Sequence, residues 1–343
     1  MSEFILKVNG IEYGGWKSYR IQRSVEQVSG VFSLAVSDRW AVNQERRAIN
    51  PDDQCELVYG DLTLIKGHAD QVGISYDAES HSINVSGRDL TADLVDCSAQ
   101  HATGQIFDND LTQVAKLLVA PYGISVVADV SVAPAFAEVT IDDGESIYDV
   151  IERLARHRGV LLISDKGQLR ITKPSTKRIP TPLVLGQNIK SCDANISTRE
   201  RYHTYLVKTQ SAADDSWPGQ QAAESNASIT DPKIRAPRLK IIVAEEGNNA
   251  DDCRARGRWQ RNIATARGTS INYVCQGHEY ADGMIWRENR MVRVVDPFLS
   301  IEDDLFIASV EYSKDDSGTH TNLTVAPRAA YETIAVPEKQ EAF

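Results

Sequence analysis

Residues that could do chemistry are scattered along this chain. Seven histidines (His68, His81, His101, His157, His203, His278 and His320) stand apart from one another. His68-Ala69-Asp70 comes nearest to a ligand pair, because residues two apart on a strand share a face and imidazole with carboxylate suits zinc. With no third ligand beside it, the pair reads as strand or turn surface. His278 and Glu279 are adjacent, so a strand would turn them to opposite faces. Four acidic pairs, Asp52-Asp53, Asp214-Asp215, Asp251-Asp252 and Asp303-Asp304, offer the carboxylates that glycoside hydrolysis needs. Such sites usually lie in clefts lined by aromatic rings, whereas aromatics make up only 7% of this chain and each pair falls among turn or cap residues. No GxSxG, HExxH, P-loop or GxGxxG pattern occurs. The five cysteines (Cys55, Cys97, Cys192, Cys253 and Cys275) are odd in number and contain no CxxC pair. That spacing opposes a disulfide framework or zinc ribbon and favours inert reduced thiols. The chain is therefore expected to carry no catalytic residue, no cofactor site and no metal site.

Arginines from Arg254 to Arg267 form the strongest basic patch. Asp251 and Asp252 precede Arg254, Arg256, Arg258 and Arg261, which places acid at the positive end and base at the negative end of a helix over about 250–266. Trp259 and Ile263 are expected to pack inward. The arginines are expected to pair with acids of the same chain or a neighbouring subunit rather than to grip nucleic acid. Trp286 reads as a core or interface anchor.

Short alternating strands position these residues in the first hundred. Phe4, Leu6 and Val8 alternate with polar neighbours, Asn9-Gly10 is a hairpin signal, and Ile11 and Tyr13 resume beyond it. Tyr19, Ile21 and Arg23 alternate again, as do Phe32, Leu34 and Val36. Cys55, Leu57 and Tyr59, then Leu62 and Leu64, then Val72, Ile74 and Tyr76, then Ile83 and Val85 complete the pattern of a barrel or sandwich. After about Gln100 the period changes. Asp110 caps a helix with Leu111, Val114, Ala115 and Leu118 on one face; a second helix carries Ile147, Val150, Ile151 and Leu154 and ends at Gly159. Ile124–Val127 reads as extended, and Asp165-Lys166-Gly167 turns a hairpin between Val160–Ile163 and Leu169–Ile171. Beyond Pro174, Pro180 and Pro182, strands are expected at Tyr205–Val207, Leu239–Val243, Ile271–Cys275, Met291–Val295, Leu305–Tyr312 and Thr321–Val325, with an exposed loop over Ser211–Ser228.

The fold class is thus α+β and mostly β, in three units. Residues 1–100 form a first β-domain (with 188–210 either completing it or beginning the last), 101–177 a small α/β insert, and 178–343 a second β-domain with one helix. An internal echo links the ends. Val72-x-Ile74-Ser75-x-Asp77 matches Val310-x-Tyr312-Ser313-x-Asp315. After a turn two residues longer, Ile83-x-Val85-x-x-Arg88 matches Leu323-x-Val325-x-x-Arg328. Two unrelated hairpins could share this much, and so could a duplicated domain.

The 343 residues suit two or three domains at ~150 residues each. With 42% hydrophobic and 25% charged residues, the profile is globular. The balance of 37 basic to 48 acidic residues gives a formal net charge of −11, which excludes a general phosphate-neutralising surface but suits a passage that a polyanion slides through. No apolar run reaches the ~18–20 residues of a membrane span, and Met1–Gly10 lacks the layout of a signal peptide, so synthesis and folding in a cytosol are expected.

Two stretches carry a family resemblance. His81-Ser82-Ile83-Asn84-Val85-Ser86-Gly87-Arg88-Asp89, running on through Leu90-Thr91-Ala92-Asp93-Leu94-Val95-Asp96-Cys97-Ser98, resembles a segment of the baseplate hub proteins of Mu-like contractile-tail phages. The C-terminal order Trp286-x-x-Asn289, Val294-Val295-Asp296-Pro297, Leu305-Phe306-Ile307, Val310-x-Tyr312, Gly318-Thr319-x-Thr321-x-Leu323 and Pro327-x-x-Ala330-Tyr331 is similar to the same family and to the wider late-control D family. Gly144-Glu145-Ser146 and Arg158-Gly159 around the insert helix fit as well. The resemblance covers essentially the whole chain, and none of its motifs is catalytic.

That resemblance implies two tail-tube-like antiparallel β-barrel domains per chain around the small α/β insert, and a homotrimer presenting six barrels around a channel. Such a hub adapts the six-fold tail tube to the three-fold central spike. Its partners would be the spike, the tail tube and other baseplate proteins, with DNA passing through unbound and no membrane insertion. Its place would be the tail baseplate of the virion, after assembly in the host cytoplasm. With the sequence stopping at Phe343, a separate spike protein is expected. A ring of subunits can also satisfy exposed strand edges by pairing across its boundaries. The alternatives are the similar hub part of a type VI secretion spike and a tail-associated cell-wall hydrolase.

Overall fold

Alternation becomes structure at the N-terminus: Phe4, Leu6 and Val8 are buried along the strand Phe4–Val8, and Ile5 and Lys7 between them are half-buried. Asn9 and Gly10 both take positive φ (51° and 80°), the mirror-image turn whose twist matches the flanking strands, and Val8 pairs with Ile11 across it. The computed structural model describes residues 3–37, 49–77, 81–209, 226–244 and 250–332.

The first seven strands form one antiparallel half-sheet. Its order is Ile11–Tyr13, Phe4–Val8, Gln54–Tyr59, Leu62–Tyr76, His81–Asp89, Val31–Ser37 and Ser18–Ser24. It rolls so that its distant strands meet: the Phe4 and Tyr19 rings lie 5.1 Å apart edge-to-face, and the Trp16 indole donates to the Phe4 carbonyl at 3.0 Å. A second half-sheet, Leu183–Val184, Arg290–Asp296, Ile301–Asp315, Gly318–Ala326, Thr269–Gln276 and Ile189–Ile196, repeats the order of the last five strands of the first, with Leu183–Val184 pairing parallel at its edge. Across its roll, Tyr273 donates to the Asp296 carboxylate at 3.0 Å.

The two halves are a duplication. Each has a 15-residue strand followed by a 9-residue partner. A single residue offset carries Val72 to Val310, Val85 to Leu323, and the bulge at Asp70 to the bulge at Ala308. This corrects the echo in its second strand, where Val85 corresponds to Leu323 and the two turns are equal in length, because the pair Tyr76–His81 matches Lys314–Thr319. A two-residue shift keeps every side chain on the same face, so alternation alone could not choose between the registers.

The halves are not separate sheets. Ser18–Ser24 pairs antiparallel with Ile301–Asp315 from Ser24–Ser309 to Tyr19–Lys314, giving one continuous sheet of 13 strands. The junction joins edges that two isolated domains would leave open, and one core runs from Phe4 to Val325. Of residues 188–210, Ile189–Ile196 pairs with Thr269–Gln276 of the second half, and Thr204–Thr209 enters a separate three-stranded sheet.

That small sheet (Asn226–Thr230, Thr204–Thr209, Leu239–Ala244) places a strand inside the stretch expected to be loop; 210–225 lies outside the described residues. The insert has its own core. Helix α1 (Asp93–Asp96) contributes Leu94, so this core begins before residue 101. Helix α2 (Leu111–Val119) starts with a capping box in which Asp110 accepts from the Gln113 amide, and α3 (Ile147–Arg158) starts at a Ser146 cap and stops at Gly159 in the left-handed region. Helix α4 (Ala250–Arg267) lies on the small sheet, where Gly257 leaves room for Ile229.

Gly67 and Gly87 mark where the two long strands of the first half approach most closely. A β-carbon on Gly87 would stand 2.2 Å from the His68 carbonyl oxygen and 2.6 Å from the Phe32 ring. Gly87→Ala is expected to lower stability in urea by about 1–3 kcal/mol. Gly73→Ala, whose new methyl would meet nothing nearer than 3.9 Å, is expected to stay within about 0.5 kcal/mol of the parent.

Candidate functional site

The densest buried polar cluster gathers on Arg23, an inward-facing residue of Ser18–Ser24 that stands opposite Val310. The side chain is 3% exposed. Its Nε donates to Glu288 at 2.8 Å, one terminal nitrogen to the Leu64 carbonyl and, at 3.5 Å, to Asp89, and the other to the Ser164 carbonyl at 2.7 Å. Leu64 and Asp89 belong to the first half-sheet, Ser164 to the insert and Glu288 to the second half. One guanidinium therefore fastens all three units. Burial opposes the Arg23 charge, but Glu288 and Asp89 outweigh it and keep the group protonated. Burial likewise opposes ionisation of Glu288, yet Arg23 and Arg287 hold its carboxyl below the usual range. At Asp89 burial prevails over Arg23 and the Lys66 amide, so that carboxyl sits above its ordinary value.

A cleft of about 350 Å³ opens beside this cluster. In it Arg287 reaches Asp165 at 3.2 Å, Arg170 reaches Asp165 at 2.9 Å, and Arg170 grips Asp129 through two bonds of 2.7 and 2.8 Å. The hydrogen bonds from Arg170 hold the Asp129 carboxyl below its usual range, which makes it a poor general base. The arrangement clamps insert to sheet; it does not converge on a reacting atom.

His278 is the second buried polar centre and lies where the halves meet. Thr321 spends its hydroxyl proton on the Gly277 carbonyl at 2.7 Å, so it accepts from His278 Nδ1 at 3.0 Å. Nε2 is left to accept from the Tyr19 hydroxyl at 2.7 Å. Burial, reinforced by His320, lowers its pKa to about 4, and the imidazole is neutral. Phe4, Tyr59 and Tyr312 pack their rings around it. Trp286 is 2% exposed and accepts the Tyr312 hydroxyl through its carbonyl.

The other sequence candidates stay apart. Asp70 sits in the bulge and accepts from Arg88 at 2.6 Å, while Arg88 also reaches Asp96 at 2.8 Å. Glu279 accepts from Tyr59. Asp53 accepts from Asn9 and the Asn50 amide, and Asp304 pairs with Arg178 at 3.2 Å. Asp214-Asp215 lies outside the described residues, as do the side chains of Asp251-Asp252. On α4, Trp259 donates to the Glu332 carbonyl at 2.9 Å and Ile263 is buried. Cys55, Cys253 and Cys275 are buried, Cys97 is half-buried and Cys192 is exposed. The Arg23 cluster was missed as a site, although a charged residue in phase with Tyr19 and Ile21 on the apolar face of a strand was its signal.

Replacing Arg23 strands two carboxylates in the interior. Arg23→Met is expected to cost about 3–5 kcal/mol in urea unfolding, and Arg23→Met with Glu288→Met is expected to recover part of that loss. The His278 pKa also sets a pH dependence. A neutral folded imidazole contributes nothing above the unfolded value near 6.5, and between there and about 4 the unfolded state binds the proton first. Stability should fall as pH drops through that window, by up to a few kcal/mol, and the part removed by His278→Gln, measured as the difference from the parent, is the histidine contribution.

Comparison with known proteins supplies the biological frame. Three family models match in sequence: the N-terminal domain of Mu phage baseplate assembly protein GpP-like over residues 3–89, the second domain of baseplate hub protein gp44-like over 91–173, and the fourth domain of Mu phage baseplate assembly protein GpP over 249–333. Baseplate hub protein gp44 of Escherichia phage Mu is 29% identical over 95% of this chain and 88% of its own. A crystal structure of the prophage MuSo2 43 kDa tail protein from Shewanella oneidensis superposes with a TM-score of 0.83 at 32% identity, covering 97% of this chain and all of that one. The E. coli type VI secretion component c3393 shares the fold at 11% identity, with a TM-score of 0.62 over 97% of this chain and 80% of its own. A duplicated, continuous sheet clamped to a small insert, together with these matches, places the chain in the family of Mu-like phage tail baseplate hub proteins.

Proposed function

We propose that this hub acts as a homotrimeric ring, in which three chains present six equivalent half-sheets and so adapt a six-fold tail tube to a three-fold central spike. The observation that carries the reading is the duplication: two copies of one strand order in each chain turn three-fold symmetry into approximate six-fold symmetry. The ring surrounds the path of the DNA, and the net charge of −11 suits a lining that repels a polyanion. The spike, the tail tube and neighbouring baseplate proteins are its partners, and it joins the baseplate of the virion after assembly in the host cytoplasm. Its role is mechanical and involves no turnover, in keeping with carboxylates that are locked by arginine.

A second reading, a hub within a type VI-like spike, draws on the shared fold with the secretion component. Genes for a tail tube and tape measure beside this one favour the phage reading; genes for a secretion sheath favour the other. Light scattering of the purified chain at micromolar concentration is expected to give three times the 37.9 kDa chain mass, with no release of fragments from peptidoglycan. A stable single-chain mass would overturn the ring, and hydrolysis abolished by changing an acidic pair would overturn the mechanical role.

A further inference from the structure

Within one chain, the duplication shows how two half-sheets join. The second half of Ile301–Asp315 has His320-side pairing on one edge and Ser18–Ser24 on the other, with Val310 opposite Arg23 and Tyr312 opposite Ile21. Both partners of that junction have a duplicate. Leu62–Tyr76 corresponds to Ile301–Asp315, and Ile189–Ile196 corresponds to Ser18–Ser24. Neither duplicate is used in the same way. Gln54–Tyr59 covers Leu62–Tyr76 only as far as His68, and among the described residues no strand lies along that side of 71–76. Among the described residues, Thr269–Gln276 is the one strand that pairs with Ile189–Ile196, which ends the sheet and has only a single bridge, from Leu185 to Ile189, besides.

Burial separates the used junction from the unused pair. Val310, Tyr312 and Ile21 are 0% exposed, whereas their counterparts Val72, Ile74 and Ala194 are half-buried or open, with Ile74 at 55%. Tyr76 is 77% and Ile196 62% exposed. Nothing in 71–76 guards the edge with Lys, Arg or Pro, the usual protection of a strand that must not pair.

We infer that residues 71–76 of one chain pair antiparallel with Ile189–Ile196 of a second copy, repeating the internal junction between chains. Carrying the register of Val310–Arg23, Tyr312–Ile21 and Lys314–Tyr19 across the duplication sets Val72 opposite Ile196, Ile74 opposite Ala194 and Tyr76 opposite Cys192. The two edges lie on different surfaces of the chain, so the contact is head-to-tail and closes when the rotation per chain closes. Each exposed apolar side chain then meets one across the new pair, and open backbone groups are satisfied. The inference rests on the ring proposed above and names the surface that forms it.

Tyr76→Cys tests the register, because its expected partner is the native, exposed Cys192. Opposed residues in an antiparallel pair fall within disulfide range. Under mild oxidation this variant should run as covalent dimers and trimers on a denaturing gel, and adding Cys192→Ser should abolish them. Gly73→Cys, which faces Asn195 on the opposite side, should give none. Ile74→Asp with Ile196→Asp, both at exposed positions, should keep the circular dichroism of the parent while the scattering mass drops to one chain. A trimer by light scattering in which Tyr76→Cys fails to cross-link, or cross-links equally without Cys192, would overturn this pairing and leave the ring standing. A single-chain mass for the unmodified protein would remove the ring and this inference with it.

Discussion

A guanidinium can lie 97% hidden only if acceptors surround it, and the acceptors of Arg23 come from three parts of the chain. Removing a charge of this kind from water costs several kcal/mol, which is recovered only when geometry and partners are all in place. Arg23 therefore enforces agreement: the first half-sheet must bring Leu64 and Asp89, the insert must dock with Ser164 outward, and the second half must deliver Glu288. The net stabilisation of such a cluster over an apolar equivalent is small, and its value lies in specifying one arrangement of units. The proposed ring would need that rigidity, because angular errors between halves would accumulate around it.

The duplication is the feature of the chain on which the proposed ring rests. Strand order, strand length and bulge position recur between the halves, yet the surroundings differ. The first half anchors the insert through the Arg23 cluster; the second carries α4 and its three-stranded sheet. Equivalent edges in the two halves have correspondingly diverged, one becoming the internal junction with buried Val310 and Tyr312 and the other retaining exposed Ile74 and Tyr76. His278, neutral and wrapped in aromatic rings, fills the space behind the junction, where a charged group would have to be desolvated.

Much of the local structure was legible in the sequence for ordinary reasons. The Asn9-Gly10 turn, the Asp110 cap and the Gly159 stop depend on nearest neighbours in the chain, and each has the backbone geometry its residue type favours. Alternation located most strands. It failed at Asn226–Thr230, where a polar composition resembled loop and only pairing with Thr204–Thr209 makes a strand. It also placed the second strand of the internal echo two residues out of register, because a period of two is blind to that shift. As a site, Arg23 stayed hidden, since its four partners are 41 to 265 residues away in the chain.

By itself, the order of residues determined most of the elements, the Asp110 cap, the mostly β character and the absence of any local catalytic motif, all of which follow from interactions within a few positions. Tertiary structure alone decided that two half-sheets become one, because hydrogen bonds between Ser18–Ser24 and Ile301–Asp315 join segments whose separation no local pattern encodes. It also decided which of two equivalent apolar edges is buried. An edge is covered or left open by what folds beside it, and that is a property of the assembled chain.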